Sequence, residues 1–191
     1  EVTAPDGYVL NPNEQTVTFI YVDDKTPVIK ESLTFSNDRQ KLDMSVTKLD
    51  SEDNTPIVGA VFGLYADEDI KNVDGKVIIE KGTLLEKTTS DENGKIAFVK
   101  DYPFAKYVAR ELVKPAGYVT NEEAVNFDTK YQGQDVKTVV YNSEYKNTPT
   151  TFEFTKTDIT SGAELTGATL TVLDKDGNVV DTWTSDAKEA H

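Results

Sequence analysis

Apolar and polar residues alternate along most of this chain of 191 residues. A period of two residues places every second side chain on the same face, which is typical of β-strands with one buried face. The shared faces are those of Met44, Val46 and Lys48 in one predicted strand, Phe152, Phe154 and Lys156 in a second, and Val17, Phe19 and Tyr21 in a third.

Turn signals separate these strands. Asp-Gly or Asn-Gly pairs occur at residues 6–7, 74–75, 93–94 and 176–177, and such pairs favour tight turns between strands. Short strands with a turn about every ten residues predict an all-β fold, a β-sandwich. Residues 67–80 form an insertion with room for a short helix. In the central part of the chain we predict strands at 43–50, 60–66, 76–88, 95–100, 105–113, 123–130 and 136–143.

The chain also repeats itself, in pieces. The segment from Val46 to Asp50 aligns with the segment from Phe154 to Asp158, and without a gap this alignment places Gly59-Ala60 on Gly167-Ala168. An internal repeat with the spacing of one small domain predicts tandem copies of that domain.

Two further pairs complete the repeat. A Glu-x-x-x-Pro-x-Gly-Tyr box occurs at residues 1–8 and again at 111–118, and Phe35-Ser36-Asn37 is matched with Tyr141-Asn142. The order lysine, glutamate, asparagine is complete only in the middle. We therefore predict one complete domain at 41–148, flanked by the C-terminal part of a domain at 1–40 and the N-terminal part of another at 149–191.

Composition excludes several kinds of function. The formal net charge is −14, from 34 acidic and 20 basic residues, which argues against nucleic acid as a partner. The sequence contains no run of about 18 apolar residues, so no membrane insertion is predicted. Cysteine is absent, which excludes disulfides, and the one histidine is His191, so a zinc site or a His-dependent catalytic triad has almost nothing to be built from. Acidic clusters at 67–69 and 174–178 lack the spacing of a calcium loop. We therefore expect neither a metal nor a cofactor.

Three polar residues lie on strand faces predicted to point inward. Lys48 shares the face of Val46, Glu111 that of Ala109, and Asn142 that of Val140. Such groups cost several kcal/mol in a core unless they satisfy one another. Desolvation lowers the pKa of a lysine and raises that of a carboxylic acid, so an amine and an acid can both be neutral at pH 7.

A neutral amine beside a carboxamide is a nucleophile beside an electrophile. A protonated glutamate polarises the amide and then passes a proton to the leaving ammonia. The predicted product is an isopeptide bond between Lys48 and Asn142 that joins the first and last strands. The reaction turns over once within one molecule, so the protein is not predicted to be an enzyme.

The glutamate box, the early Val-x-Lys-x-Asp and the late asparagine resemble the SpaA-like Cna B-type domains of Gram-positive surface adhesins and pilins. The resemblance implies an inverse immunoglobulin-like (prealbumin-like) β-sandwich with an intramolecular isopeptide bond. It assigns Lys48 as the amine, Glu111 as the catalytic carboxyl and Asn142 as the acceptor. In the incomplete domains it assigns Lys156 as the amine of the last segment, and Glu1 and Asn37 as the carboxyl and acceptor of the first.

The resemblance predicts a structural stalk module of an extracellular, cell-wall-anchored adhesin or pilin, whose partners are neighbouring repeats of the same protein. Two alternatives stay open. One is an adhesin module whose loops bind a host surface protein or glycan. The other is complementation between copies, in which the incomplete domains of two chains pair and Lys156 joins Asn37.

Overall fold

The computed structural model describes residues 1–26, 28, 30–186 and 190–191, and it forms two compact units, Glu1–Pro149 and Thr150–His191. The described residues form strands and no helix, which confirms the all-β prediction. The strands are β1 (Lys41–Asp50), β2 (Val61–Ala66), β3 (Ile70–Lys71), β4 (Val77–Ile79), β5 (Leu84–Thr89), β6 (Lys95–Phe98), β7 (Lys106–Val113), β8 (Ala124–Asp128), β9 (Thr138–Asn147), β10 (Thr169–Leu173) and β11 (Val179–Thr184).

The first unit is a sandwich of two sheets. One sheet has the order β6-β1-β9 and the other the order β5-β2-β7-β8. Apolar side chains of both sheets form one core, in which the rings of Phe62 and Tyr145 meet edge to face with centroids 5.0 Å apart. Such edge-to-face pairs stabilise a core beyond the area they bury.

The first and last strands of the sandwich are neighbours. β1 and β9 run parallel over ten residue pairs, from Lys41 opposite Thr138 to Asp50 opposite Asn147. A parallel pair needs a long crossover connection, and here the connection is the rest of the sandwich. Side chains near the ends of β1 and β9 are therefore far apart in sequence and adjacent in space.

Several predicted elements differ from the structure. The segment predicted as one strand at 76–88 is two strands, because a turn at Gly82 with φ +84° interrupts it. The insertion at 67–80 holds the β3–β4 hairpin instead of a short helix. The last strand continues to Asn147, four residues beyond the predicted end.

The strands predicted in the outer segments do not form. Phe19 and Tyr21 are exposed, as are Phe152 and Phe154, and none of them belongs to a strand. A strand needs a hydrogen-bonded neighbouring strand. Among the described residues these segments pair with no strand, and Phe154 exchanges backbone hydrogen bonds with His191 alone. The first forty residues lie within the first compact unit, and the division at 40 and 148 stays a prediction.

The described residues of the second unit, 150–186 and 190–191, form a single hairpin, β10–β11. The hydrogen bonds next to this hairpin repeat those that join Ala60, just before β2, to Ser90, just after β5. Ser90 N donates to Ala60 O and Ala60 N to Ser90 Oγ, and the same two bonds join Ser185 and Ala168. The repeat read from the sequence is therefore also a repeat of backbone structure.

Candidate crosslinking site

Three polar side chains lie together in the core, one from each of three strands. Lys48 of β1 and Asn147 of β9 are 0% exposed, and the side chain of Glu111 of β7 is 4% exposed. Because β1 and β9 belong to one sheet and β7 to the other, the cluster bridges the two layers of the sandwich.

Glu111 contacts both other residues. Its Oε1 lies 3.8 Å from Lys48 Nζ, and its Oε2 accepts a hydrogen bond of 3.0 Å from Asn147 Nδ2. Lys48 Nζ also lies 5.0 Å from the centre of the Tyr145 ring, a distance typical of a cation–π contact. The carboxyl group of Glu111 therefore links the amine and the carboxamide.

The cluster is incompletely satisfied. Lys48 Nζ, Glu111 Oε1 and Asn147 Oδ1 are buried atoms without a hydrogen-bond partner among the described residues. An unpaired buried polar atom costs about 1–3 kcal/mol, so three at one place indicate a functional constraint rather than packing alone.

Backbone contacts fix the position of Lys48. Its N–H donates to Gly94 O at 2.8 Å, and its carbonyl accepts from Ile57 N at 2.9 Å. Gly94 has φ +71°, and a Cβ at that position would overlap the Lys48 carbonyl oxygen. The turn that holds this strand therefore requires glycine.

Burial favours the neutral amine. Desolvation lowers the pKa of Lys48 below its ordinary value of 10.5, against the opposing charges of Glu111 and Asp50. A neutral lysine amine is a nucleophile, whereas an ammonium is not. The environment of Lys48 thus favours the reactive form.

The prediction that Asn142 faces the core is wrong. Asn142 is exposed and lies opposite Ser45, whose Oγ is 3.4 Å from Asn142 Oδ1. The inward face of β9 is that of Val139, which is 8% exposed, and not that of Val140, which is 63% exposed. A shift of one residue moves every side chain to the other face. The structure brings Asn147, not Asn142, to Glu111.

The spacing of the repeat identifies Asn147 without the structure. Glu111 and Asn147 are 36 residues apart, and Glu1 and Asn37 are also 36 residues apart. A gapless alignment of the two boxes therefore places Asn37 on Asn147. The match of Asn37 with Asn142 required a gap.

The structure also brings together two residues predicted in the first segment. Asn37 Nδ2 donates to Glu1 Oε2 and to Val9 O, the latter at 2.9 Å. The hydrogen bond from Asn37 lowers the pKa of Glu1, with a smaller contribution from Asn11 N–H. Glu1 is exposed and Asn37 is half-buried, in contrast to the enclosed side chains of Glu111 and Asn147.

Lys156 of the last segment is exposed and lies outside any strand. Its carbonyl accepts a hydrogen bond of 2.7 Å from Leu165 N, as the Lys48 carbonyl does from Ile57 N. The local backbone of the lysine is thus repeated, but its side chain lacks the core that surrounds Lys48.

Other kinds of site find little support in the described part of the chain. Its acidic and histidine side chains form no group that could hold a metal ion. The same residues include no helix with the length and apolarity to span a membrane.

Comparison with known proteins assigns the chain to a family. The model of the family described as "SpaA: Prealbumin-like fold domain" matches residues 43–144 and 150–190. The trypsin-resistant surface T6 protein of Streptococcus pyogenes serotype M6 is 27% identical over 147 residues, which cover 75% of this chain and 24% of that protein.

Two solved structures illustrate what this chain is similar to. The Bacillus anthracis TIE protein aligns over 100% of this chain and 32% of its own, with 27% identity and a TM-score of 0.60. The group B streptococcus pilus 2b backbone protein aligns over 60% of this chain and 43% of its own, with 16% identity and a TM-score of 0.42. The chain spans a third or less of the T6 and TIE proteins. With its sandwich and the matched residues, this chain belongs to the SpaA prealbumin-like fold domain family.

Proposed function

We propose that the sandwich is a structural stalk module of a Gram-positive surface protein, stabilised by an autocatalytic isopeptide bond between Lys48 and Asn147. The observation that carries the proposal is the buried contact of Glu111 with both residues. The cluster combines a nucleophile, a proton carrier and an electrophile in the dry interior of one domain.

The reaction begins with a proton transfer. A proton moves from Lys48 Nζ to Glu111 Oε1, across the 3.8 Å that separates them, and leaves a neutral amine and a neutral acid. This exchange removes two buried charges at once, which lowers the cost of their desolvation.

The amine then attacks the carboxamide. Nζ forms a bond to Cγ of Asn147, while the protonated Glu111 donates to the amide oxygen, which a half turn of the amide group places beside it. The Cγ–Nδ2 bond breaks, Glu111 relays a proton to the leaving nitrogen, and ammonia departs. The reaction consumes no cofactor and restores the carboxyl group of Glu111.

The bond would suit a protein under tension. It joins β1 and β9, the strands nearest to the two ends of the sandwich. A pull on those ends would load the covalent bond instead of the hydrogen bonds between strands. The surface location of the T6 protein and the pilus backbone role of the streptococcal protein, as their names give them, support a role at the cell surface.

We assign the same chemical roles to the outer segments. Glu1 and Asn37 are the carboxyl and acceptor of one further site, and Lys156 is the amine of another. The Glu1–Asn37 hydrogen bond, at the spacing of Glu111 and Asn147, supports the first assignment. Neighbouring repeats of the same protein would complete these sites.

Intact mass spectrometry tests the proposal. The purified chain should be lighter than its sequence by one ammonia, and the Glu111→Gln variant should have the full sequence mass. A wild-type chain at full sequence mass would contradict the proposed function.

A further inference from the structure

We infer that Tyr118 is a positioning residue for the crosslinking reaction and holds the ends of the lysine strand and the asparagine strand together. This inference rests on the proposed crosslink, and it concerns a residue that touches neither reacting atom. Three observations carry it: a hydroxyl–carboxylate contact, a backbone pairing and the repetition of that pairing.

The hydroxyl of Tyr118 reaches the lysine strand. It donates a hydrogen bond of 3.0 Å to Oδ2 of Asp50, two residues after Lys48. Asp50 is buried, and its Oδ1 accepts from Glu52 N at 2.7 Å. Desolvation, and then the contact with Asp50, raises the pKa of Tyr118, so the phenol stays a donor at neutral pH.

The backbone of the same residues reaches the asparagine strand. Tyr118 forms a β-bridge with Pro149, and Val119 N donates to Thr148 O at 2.8 Å. These contacts lie one and two residues beyond Asn147. Asp50 itself lies opposite Asn147 in the β1–β9 ladder. Residues 118–119 therefore contact the end of β1 and the chain immediately after β9, next to the reacting pair.

The backbone half of this arrangement occurs twice. In the first segment, Tyr8 forms a bridge with Arg39, and Val9 N donates to Asp38 O at 2.8 Å. Asp38 follows Asn37 as Thr148 follows Asn147. The Pro-x-Gly-Tyr turn thus pairs with the chain just after the asparagine in both copies.

The geometric requirement of the reaction explains why such a contact matters. Attack by an amine on a carboxamide needs reacting atoms about 3–3.5 Å apart and correctly aligned, and small displacements are costly in rate. β1 ends at Asp50 and β9 at Asn147, and strand ends fray most readily. A contact that joins both ends restricts this motion next to the reacting pair.

The test measures the rate of ammonia loss. Chains recovered unlinked in denaturant from inclusion bodies are refolded by dilution, and the linked fraction is followed by intact mass. Tyr118→Phe removes only the hydroxyl, and it should slow the reaction about tenfold, as expected for loss of one hydrogen bond to a charged group. The final extent of linkage should equal that of wild type.

A matched control separates positioning from stability. Tyr102 donates a hydrogen bond of 2.6 Å to Glu86 Oε2 in the same domain, so Tyr102→Phe loses a similar bond at a place without contact to Lys48, Glu111 or Asn147. It should react at the wild-type rate. Asp50→Asn keeps an acceptor for the Tyr118 hydroxyl and should react faster than Asp50→Ala.

The outcomes distinguish this inference from the proposed function. A wild-type chain that loses no ammonia overturns both. A wild-type chain that links, with Tyr118→Phe equally fast, overturns the positioning role alone. Equal slowing by Tyr102→Phe, or equal rates for the two Asp50 variants, would show a general effect of stability and would also overturn it.

Discussion

At the scale of single residues, the central feature is a lysine, a glutamate and an asparagine that share one buried space. The alternation of residues placed Lys48 with Val46 and Glu111 with Ala109, and both pairs lie on inward faces in the structure. It failed for Asn142, because Val139-Val140-Tyr141 is apolar on both faces and does not show which face is buried.

The acceptor assignment leads to a prediction with an internal control. Asn147→Ala removes the carboxamide next to Glu111, so this variant should keep the full sequence mass. Asn142→Ala changes an exposed side chain and should lose one ammonia as wild type does. Intact masses of the two purified variants decide between them, and the opposite pattern would restore Asn142 as the acceptor.

The pKa of Lys48 gives a prediction about pH. Burial lowers the folded-state pKa of Lys48 below its ordinary value of 10.5, and we expect the same in the unlinked Asn147→Ala variant, which keeps the free amine. Between these two values the unfolded chain binds more protons, so the free energy of unfolding should rise with pH. Below the folded-state pKa the lysine destabilises the fold by a constant amount.

A reference variant isolates the contribution of the lysine. Denaturant titrations give the free energies of unfolding of Asn147→Ala and of the double variant Asn147→Ala/Lys48→Met. The difference between these two free energies should change as the pH rises toward 10.5. Glu111, Asp50 and Tyr145, which face Lys48, are common to both chains. A difference independent of pH would show that burial does not lower the pKa of Lys48.

At the scale of strands, the sequence predicted the existence of most elements better than their ends. The last strand shows the reason: Ser143, Glu144 and Lys146 make it polar after Asn142, yet β9 continues because β1 offers it a ladder up to Asp50. The outer segments show the opposite case. Their alternation is as clear as that of β1, but a pattern cannot supply the missing neighbouring strands.

The pairing of β1 with β9 predicts the effect of the crosslink on stability. A bond between Lys48 and Asn147 closes a loop of about 100 residues, which by analogy with disulfides stabilises by about 4–5 kcal/mol. Glu111→Gln should fold, because the amide fits the same space, but it should stay unlinked and lose stability of this order. Chemical denaturation checks the difference, and equal stability of a linked wild type and the variant would contradict it.

At the scale of the whole chain, the repeat predicts how the outer segments behave. In the sandwich, Lys48 and Glu111 lie in a core between two sheets, whereas Lys156 and Glu1 are exposed. Lys156 of one chain is therefore not positioned to react with Asn37 of another. We expect a single monomer band on a denaturing gel, with Lys156 unmodified.

A ladder of crosslinked chains that survives boiling would contradict the expected monomer band. It would show that Lys156 of one chain joins Asn37 of another. A Lys156→Arg variant is the control, since it keeps the charge but cannot form the bond and should abolish any such ladder.

The most direct measurement for the account as a whole is the identification of the linked peptide. After proteolysis of the folded, purified chain, mass spectrometry should find the peptide containing Lys48 joined to the peptide containing Asn147, with the loss of one ammonia. Fragmentation should place the branch on these two residues. Recovery of both peptides free and unmodified from folded protein would contradict the account.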